Sequence, residues 1–346
     1  MWRAFFVTLI LALTPHAILG AKILKVEVLY EWKQVVYGFA TKEDRQDAID
    51  NDNLAPENAT PIDVAVDYHS KKGKRVFMTT PRFTTGIPYT LALVTCSKVQ
   101  VYVADVLYHG LVVYDSELDA AWRIENRFMY PDPDYGLFSI ADEKFFLMDG
   151  IFGLASDGEQ LYFHPLSTIY EYAVPLSIIN NRTIFEEDVE AVPLAFRRVG
   201  ERSSPCAAQA MDSQNNLYFV TFNPIKLTRW SPNKPYTPEN ELDIPADPQL
   251  IEFVSGMKVH KNEAGIEELW MTSNRFQQIA RGTLDFSEVN FRLLRRPLDD
   301  IQNQSTSDES QSVSVSSSDE SQSDSVSSSD ESQSESGSSS DESQSD

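Results

Sequence analysis

Residues able to perform chemistry are few and scattered in this sequence. After residue 20 the histidines are His69, His109, His164 and His260, and no two have the short spacing of a zinc site. The acidic pairs Asp63/Asp67 and Asp132/Asp134 offer oxygen ligands for a cation, although a solvated loop explains such pairs more simply. The sequence has no serine-hydrolase, dinucleotide, P-loop or zinc-protease signature. It predicts a binding protein, with no catalytic residue, metal site or cofactor assigned.

The C-terminal segment has a different composition. From residue 305 it repeats every 11 residues, as STSDESQSVSV, SSSDESQSDSV, SSSDESQSESG and SSSDESQSD. It holds 11 acidic residues, no Lys or Arg, and almost no apolar side chain. Such a segment cannot bury enough surface to offset the entropy of ordering. We therefore predict a disordered acidic tail over residues 301–346.

Each tail repeat contains Ser-Asp-Glu, which resembles a substrate of secretory-pathway kinases. The predicted phosphorylation sites are Ser307, Ser318, Ser329 and Ser340. Phosphates there would form an array of hard oxygens that binds Ca²⁺ weakly. An unmodified, solubilising tail is the alternative.

Residues 1–20 have the pattern of a secretory signal peptide. A basic Arg3 precedes an apolar run over residues 4–13, which is too short to span a bilayer, and small residues follow. A buried N-terminal strand or helix is the alternative. We expect a secreted, extracellular protein, and N-glycosylation sequons at Asn58, Asn181 and Asn303 fit that compartment.

Two cysteines, Cys96 and Cys206, form a candidate disulfide pair; two separately buried thiols are the alternative. The net charge is −23, of which −12 lies outside the tail. An acidic surface repels phosphate backbones and anionic lipids, so neither nucleic acid nor a membrane is expected as a partner. Cationic ligands are favoured.

The remaining chain, residues 21–300, predicts an all-β fold. A triplet of an aliphatic, an aromatic and an apolar residue begins a predicted strand at five places: Val76-Phe77-Met78, Val101-Tyr102-Val103, Leu161-Tyr162-Phe163, Leu217-Tyr218-Phe219 and Leu269-Trp270-Met271. Their spacings are 25, 60, 56 and 52 residues. A period of 50–60 residues is typical of four-stranded propeller blades, and a pair of sandwiches is the alternative. Residues 41–49 predict one short helix outside the sheets.

The first spacing is too short, because four strands with their turns need roughly 40 residues. This interval contains YTLALVTCSKVQVYVAD, residues 89–105, in which two strand-like runs meet without Gly or Pro. The interval cannot hold a full blade, so we expect strands of two different blades to be joined directly here.

Several motifs resemble the insect yellow and major royal jelly protein family, in family order over residues 25–297. They include PRF at residues 81–83, GIPYTLA at 86–92, DGIFG at 149–153, LYFHPL at 161–166 and LWMTSNR at 269–275. The resemblance implies a secreted six-bladed β-propeller, here lacking about one to one and a half blades. The family's second block is absent, and Cys96 fits the cysteine before its third-blade strand. The resemblance therefore implies a deletion junction near residues 95–96.

The resemblance also implies a ligand site in the propeller channel. Sand fly salivary members bind serotonin and catecholamines, and the similar positions here are Ser255, Asn274, Phe276 and Phe152. Aromatic side chains would stack on the amine's ring while hydroxyl and amide groups bind its polar ends. Small aromatic amines are therefore the expected partners. The alternatives are a pigmentation protein with dopachrome-conversion activity, and a nutritive or matrix protein whose phosphorylated tail binds cations.

Overall fold

The computed structural model describes residues 26–35, 41–55, 60–67, 75–79 and 100–299, together with residues 39, 58 and 301. The predicted signal peptide, the junction at residues 95–96 and the acidic tail lie outside the described residues, as does His69. No helix in the described part of the chain is long and apolar enough to cross a membrane.

Three antiparallel sheets of four strands form most of the described fold. The first contains β9 (Ile151–Ser156), β10 (Gln160–Pro165), β11 (Tyr170–Pro175) and β12 (Arg197–Glu201), paired in chain order. The second contains β13 (Cys206–Met211), β14 (Leu217–Phe222), β15 (Ile225–Trp230) and β16 (Leu242–Ile244), again in chain order. The third contains β17 (Phe253–Lys261), β18 (Glu267–Asn274), β19 (Phe291–Pro297) and β1 (Glu27–Trp32), in that order.

The N-terminal strand therefore completes the last sheet. β1 pairs antiparallel with β19, and Trp32 lies opposite Phe291. Two ion pairs support this pairing: Arg292 Nε lies 3.0 Å from Glu31, and Arg295 Nη2 lies 2.5 Å from Glu27. The two ends of the sheet-forming chain are thus joined in one sheet.

Three smaller sheets accompany these. One has three strands, β4 (Gln100–Asp105), β5 (Gly110–Asp115) and β6 (Ala120–Glu125). The other two are the hairpin of β2 (Asp63–Asp67) with β3 (Arg75–Thr79) and the hairpin of β7 (Leu137–Ile140) with β8 (Glu143–Phe146).

The edge strands of five sheets lie side by side. β13 packs between β9 and β17, while β2 lies beside β17 and β4 lies beside β9. From this row of edge strands each sheet extends outward in chain order, except that β1 follows β19 in the last sheet. This arrangement is a β-propeller, so the all-β propeller prediction is confirmed.

The apolar core lies between neighbouring sheets. One cluster joins the β13–β16 sheet to the β17–β19 sheet through Tyr218, Val254 and Met271. Another joins β5 and β6 to the β9–β12 sheet through Ile124 and Phe163. β14 and β18 are buried along their whole length. The sequence of β14, LYFVTF, is almost entirely apolar, whereas β18, EELWMTSN, buries polar residues on both sides of its apolar centre. Burying each large apolar side chain contributes about 2 kcal/mol.

The helices are short and peripheral. α1 (Lys42–Asp50) matches the predicted helix and begins with a capping box, in which Thr41 and Asp44 bond each other's backbone N–H groups. It buries none of its residues. α2 (Leu176–Ile179) follows β11, and α3 (Phe276–Arg281) follows β18. Short 3-10 turns complete the described elements: Arg127–Met129, Pro133–Tyr135, Arg182–Ile184, Pro193–Ala195 and Pro238–Asn240.

Candidate functional site

A cavity of about 720 Å³ opens among the five adjacent edge strands β2, β4, β9, β13 and β17. Its wall is mostly apolar, formed by residues such as Val101, Leu154, Ala210 and Met257. The volume and the apolar wall are typical of a small-molecule site. We call this space the central cavity.

Aromatic groups enter the wall from two sides. Phe152 lines the central cavity from β9, and Tyr102 lines it from β4. The Tyr102 hydroxyl donates a hydrogen bond to Asn180 Oδ1 at 2.7 Å, and burial raises the pKa of this phenol. Tyr102 is therefore a fixed, neutral part of the wall at physiological pH.

Two charged side chains line the cavity among the described residues, Asp63 of β2 and Lys258 of β17. Lys258 Nζ lies 3.6 Å from Asp63 Oδ2, and both side chains are about two-fifths exposed. Gly256 allows this approach, because a Cβ at that position would lie 2.5 Å from the Ile62 carbonyl oxygen. β2 is thereby held directly against β17.

Two of the predicted ligand-binding residues are joined by a hydrogen bond. Asn274 Nδ2 donates to Ser255 Oγ at 3.0 Å, and both residues reach the Pro61 carbonyl oxygen at 3.4 Å. Ser255 lines the central cavity, whereas Asn274 is fully buried and is not among the lining residues. Asn274 therefore orients the Ser255 hydroxyl from behind the wall.

The two predicted aromatic residues also take different positions. Phe152 lines the cavity, but Phe276, the first residue of α3, stacks on Phe253 with ring centroids 4.7 Å apart. Both pack against one apolar cluster that includes Phe138 and Phe222. Ser255 and Phe152 thus share the cavity wall, while Asn274 and Phe276 support it.

Only some of the remaining predicted sites lie within the described residues. Asn181 is exposed and its Oδ1 accepts a hydrogen bond from Thr183 Oγ1 at 2.7 Å, whereas Asn58 is half-buried. Cys206 is a buried free thiol. Cys96, Asn303, Ser307, Ser318, Ser329 and Ser340 lie outside the described residues. The disulfide and the modification sites stay predictions.

The sequence did not predict a buried polar network that lies behind the cavity wall. Glu171 accepts hydrogen bonds from Arg202 Nη1 at 2.5 Å and Gln209 Nε2 at 2.8 Å, and lies 3.0 Å from His164 Nδ1. His164, Glu171 and Arg202 are almost completely buried. The available signal was a polar residue inside an apolar strand pattern, His164 after Leu161-Tyr162-Phe163 and Glu171 between two tyrosines.

The network holds His164 in its charged form. Its Nδ1 faces the Glu171 carboxylate, and its Nε2 lies 2.9 Å from the Ala207 carbonyl oxygen, so both nitrogens face acceptors. Burial and the Arg202 guanidinium lower the pKa of His164, but Cys206 and Glu171 outweigh them and raise it to about 9. These contacts fasten β10 and β11 to β13. We assign them to the scaffold of the cavity.

Asp149 also has a perturbed pKa, but it lies outside the cavity wall. Burial raises the pKa of Asp149 to about 6, but this residue precedes β9 and does not line the cavity. In the described part of the chain, no group of three His, Cys, Asp or Glu side chains is arranged to hold a metal ion.

Comparisons with known proteins point to one family. The family model described as major royal jelly protein matches residues 85–306, well over half of the chain. Dopaminechrome tautomerase of Drosophila melanogaster is 22% identical over 401 aligned positions, which cover 83% of this chain and 85% of that protein. Major royal jelly protein 9 of Apis mellifera is 27% identical over 261 positions, and protein yellow of Drosophila melanogaster is 29% identical over 213.

Coverage of these relatives differs. The chain spans 58% of the length of the royal jelly protein and 38% of protein yellow; the matches cover 72% and 59% of this chain. In the tautomerase alignment, 83% of 346 residues is about 287, so about 114 of the 401 positions have no residue in this chain. By the family match and by its propeller fold, the chain belongs to the yellow and major royal jelly protein family.

Proposed function

We propose that this chain is a secreted protein that binds small aromatic amines of the serotonin and catecholamine class in the central cavity. The observation that carries the proposal is the composition of the wall. The predominantly apolar cavity of about 720 Å³ is lined by Phe152, Ser255 and Asp63, whose side chains carry an aromatic ring, a hydroxyl and a carboxylate. These are the groups needed for a ring, a phenol and an ammonium.

Each part of such a ligand has a partner on the wall. The ring packs against Phe152 and the neighbouring aliphatic side chains, where removal of apolar surface from water supplies affinity. The ammonium pairs with the Asp63 carboxylate in a charge-assisted hydrogen bond. A ring hydroxyl bonds Ser255 Oγ, which Asn274 already holds in position.

Calorimetric titration of the full-length protein with serotonin and dopamine tests this proposal. We expect saturable binding, and Asp63→Asn should weaken it about fivefold, because the ammonium loses its counter-charge at a partly exposed site. Asp134→Asn is the matched control, since Asp134 is an exposed turn residue outside the cavity. Absence of heat at millimolar ligand would reject the proposal.

A second candidate function is conversion of an aminochrome. It is favoured by the relative named dopaminechrome tautomerase, of which the chain covers 85%. A tautomerisation moves a proton from a ring carbon to a ring oxygen with no change of oxidation state. In this reaction Asp63 would accept the carbon-bound proton and Lys258 would donate a proton to the oxygen; both residues line the cavity.

The decay of dopaminechrome's visible absorbance measures this activity. We expect the wild-type rate to exceed the spontaneous rate and Asp63→Asn to lose most of the excess. A wild-type rate equal to that without protein eliminates the enzyme function and leaves the binding proposal intact.

Secretion and modification form a further part of the proposal. The exposed Asn181 is the described sequon best placed to carry a glycan. Intact-mass measurement of protein secreted from insect cells, before and after glycosidase, should show loss of a glycan. Increments of about 80 Da would report phosphate on the tail, and their absence would reject phosphorylation.

A further inference from the structure

The charges on the cavity wall come as a pair. Asp63 and Lys258 are the charged side chains lining the central cavity among the described residues, so the described part of the wall carries no net charge. A site for a simple monocation needs only a carboxylate. A cation beside that carboxylate opposes the binding of an ammonium unless the ligand also brings an anion.

The ion pair of Asp63 with Lys258 is long and partly exposed, so a ligand can reach both groups. Its N–O distance of 3.6 Å exceeds that of a direct hydrogen bond, and about two-fifths of each side chain is exposed. Asp63 Oδ1 is fixed by the Val64 backbone N–H at 2.8 Å. Asp63 Oδ2 and Lys258 Nζ are therefore available to an ammonium and a carboxylate that lie side by side.

The neighbouring titratable group adds no charge. His260 follows Lys258 by two residues on β17, and its Nε2 accepts a hydrogen bond from the Val66 N–H at 3.3 Å. Burial and the Lys258 ammonium lower the pKa of His260, which keeps the ring neutral near pH 7. Lys258 thus supplies the positive charge at this part of the wall.

We propose that the cavity prefers aromatic amino acids, which keep an α-carboxylate beside the α-ammonium, over the corresponding decarboxylated amines. The proposal rests on the aromatic-amine site proposed above and narrows its ligand class. The aromatic ring enters the apolar cavity past Phe152, while the α-ammonium meets Asp63 and the α-carboxylate meets Lys258.

Calorimetry with two ligands that differ only in the carboxylate tests the preference. L-5-Hydroxytryptophan and serotonin are titrated into the full-length wild type, Lys258→Gln and Lys261→Gln. Lys261 lies on the same strand, is exposed and does not line the cavity, so Lys261→Gln is the matched control.

We expect the amino acid to bind the wild type about fivefold more tightly than serotonin, as one additional partly exposed ion pair allows. Lys258→Gln should abolish that preference by weakening the amino acid while leaving serotonin unchanged or tighter. Lys261→Gln should keep it. Thermal melts of the variants without ligand verify folding.

The failures of the two proposals are distinguishable. If neither ligand binds the wild type, the aromatic-amine site itself is rejected. If serotonin binds as tightly as the amino acid, or if Lys258→Gln alters both affinities equally, the amine site stands and the amino-acid preference is overturned. In that case Lys258 has only a structural role, pairing with Asp63 between β17 and β2.

Discussion

Some single residues in this propeller both stabilise the fold and position the wall of the central cavity. His164 is the clearest case, because it is charged, buried and adjacent to the cavity wall. A Cβ at Gly153, which lines the cavity, would lie 2.2 Å from the His164 ring. The histidine therefore fixes the distance between β9 and β10 behind the wall.

The raised pKa of His164 predicts a pH dependence of stability. Because its pKa is about 9 in the folded chain and 6.5 ordinarily, its contribution is complete below pH 6.5 and is lost as the pH rises through 9. His164→Gln should remove that dependence, worth on the order of 2 kcal/mol. Urea unfolding at pH 6.5 and 9.5 measures it.

His109→Asn is the control for this experiment. His109 lies in a turn with φ 55°, a conformation that asparagine tolerates. The control should keep the wild-type fall in stability between the two pH values. An equal fall in His164→Gln would contradict the charged, buried histidine.

Among the elements, the β7–β8 hairpin was absent from the sequence analysis. It packs on α3: Arg281 Nε lies 3.0 Å from Glu143, and Arg281 Nη1 donates to the Lys144 carbonyl oxygen at 2.9 Å. Phe145 stacks with Phe138 at 5.4 Å and meets Phe276 edge-on at 6.0 Å. The hairpin thus contacts Phe276 through Phe145. Phe276 in turn packs against the same apolar cluster as Phe152.

Replacing Phe145 should weaken this support. Phe145→Ala is expected to cost about 2 kcal/mol of unfolding free energy, since the ring is only partly buried. Phe146→Ala should change stability by less than about 0.5 kcal/mol, because Phe146 is 68% exposed on the same strand. Urea unfolding compares the two, and equal losses would show that the hairpin does not brace α3.

At the scale of the whole molecule, the pairing of β1 with β19 joins positions 259 to 268 residues apart in sequence. A chain that begins at residue 33 would leave β19 as an unpaired edge carrying Phe291 and Leu293. We expect this truncation to lower the melting temperature by several degrees and to promote association. Calorimetry and size-exclusion chromatography measure both. A melting temperature and an elution volume equal to those of the untruncated chain would contradict the stabilising role of the β1–β19 pairing.

The sequence predicted the propeller because apolar patterning and period are local properties. Leu161, Leu217 and Leu269 begin the repeated triplets in β10, β14 and β18, each the second strand of its sheet. The triplet beginning at Val101 lies instead in β4, the strand beside the cavity.

The candidate site was less predictable because it depends on contacts between distant strands. Ser255 and Phe152 were found through the family resemblance, and both line the cavity. The pairing of Asp63 with Lys258 joins residues 195 positions apart, and no local pattern reveals it. The same holds for the network of His164 with Glu171 and Arg202, whose members come from separate strands and loops.

We propose that the central cavity among the five edge strands binds a small aromatic amine. The most direct measurement is the crystal structure of the full-length protein with serotonin. We predict ring density in the cavity against Phe152, with the ammonium at Asp63 and the hydroxyl near Ser255. A cavity that holds only water, with the ligand absent or bound at the outer surface, would contradict the account.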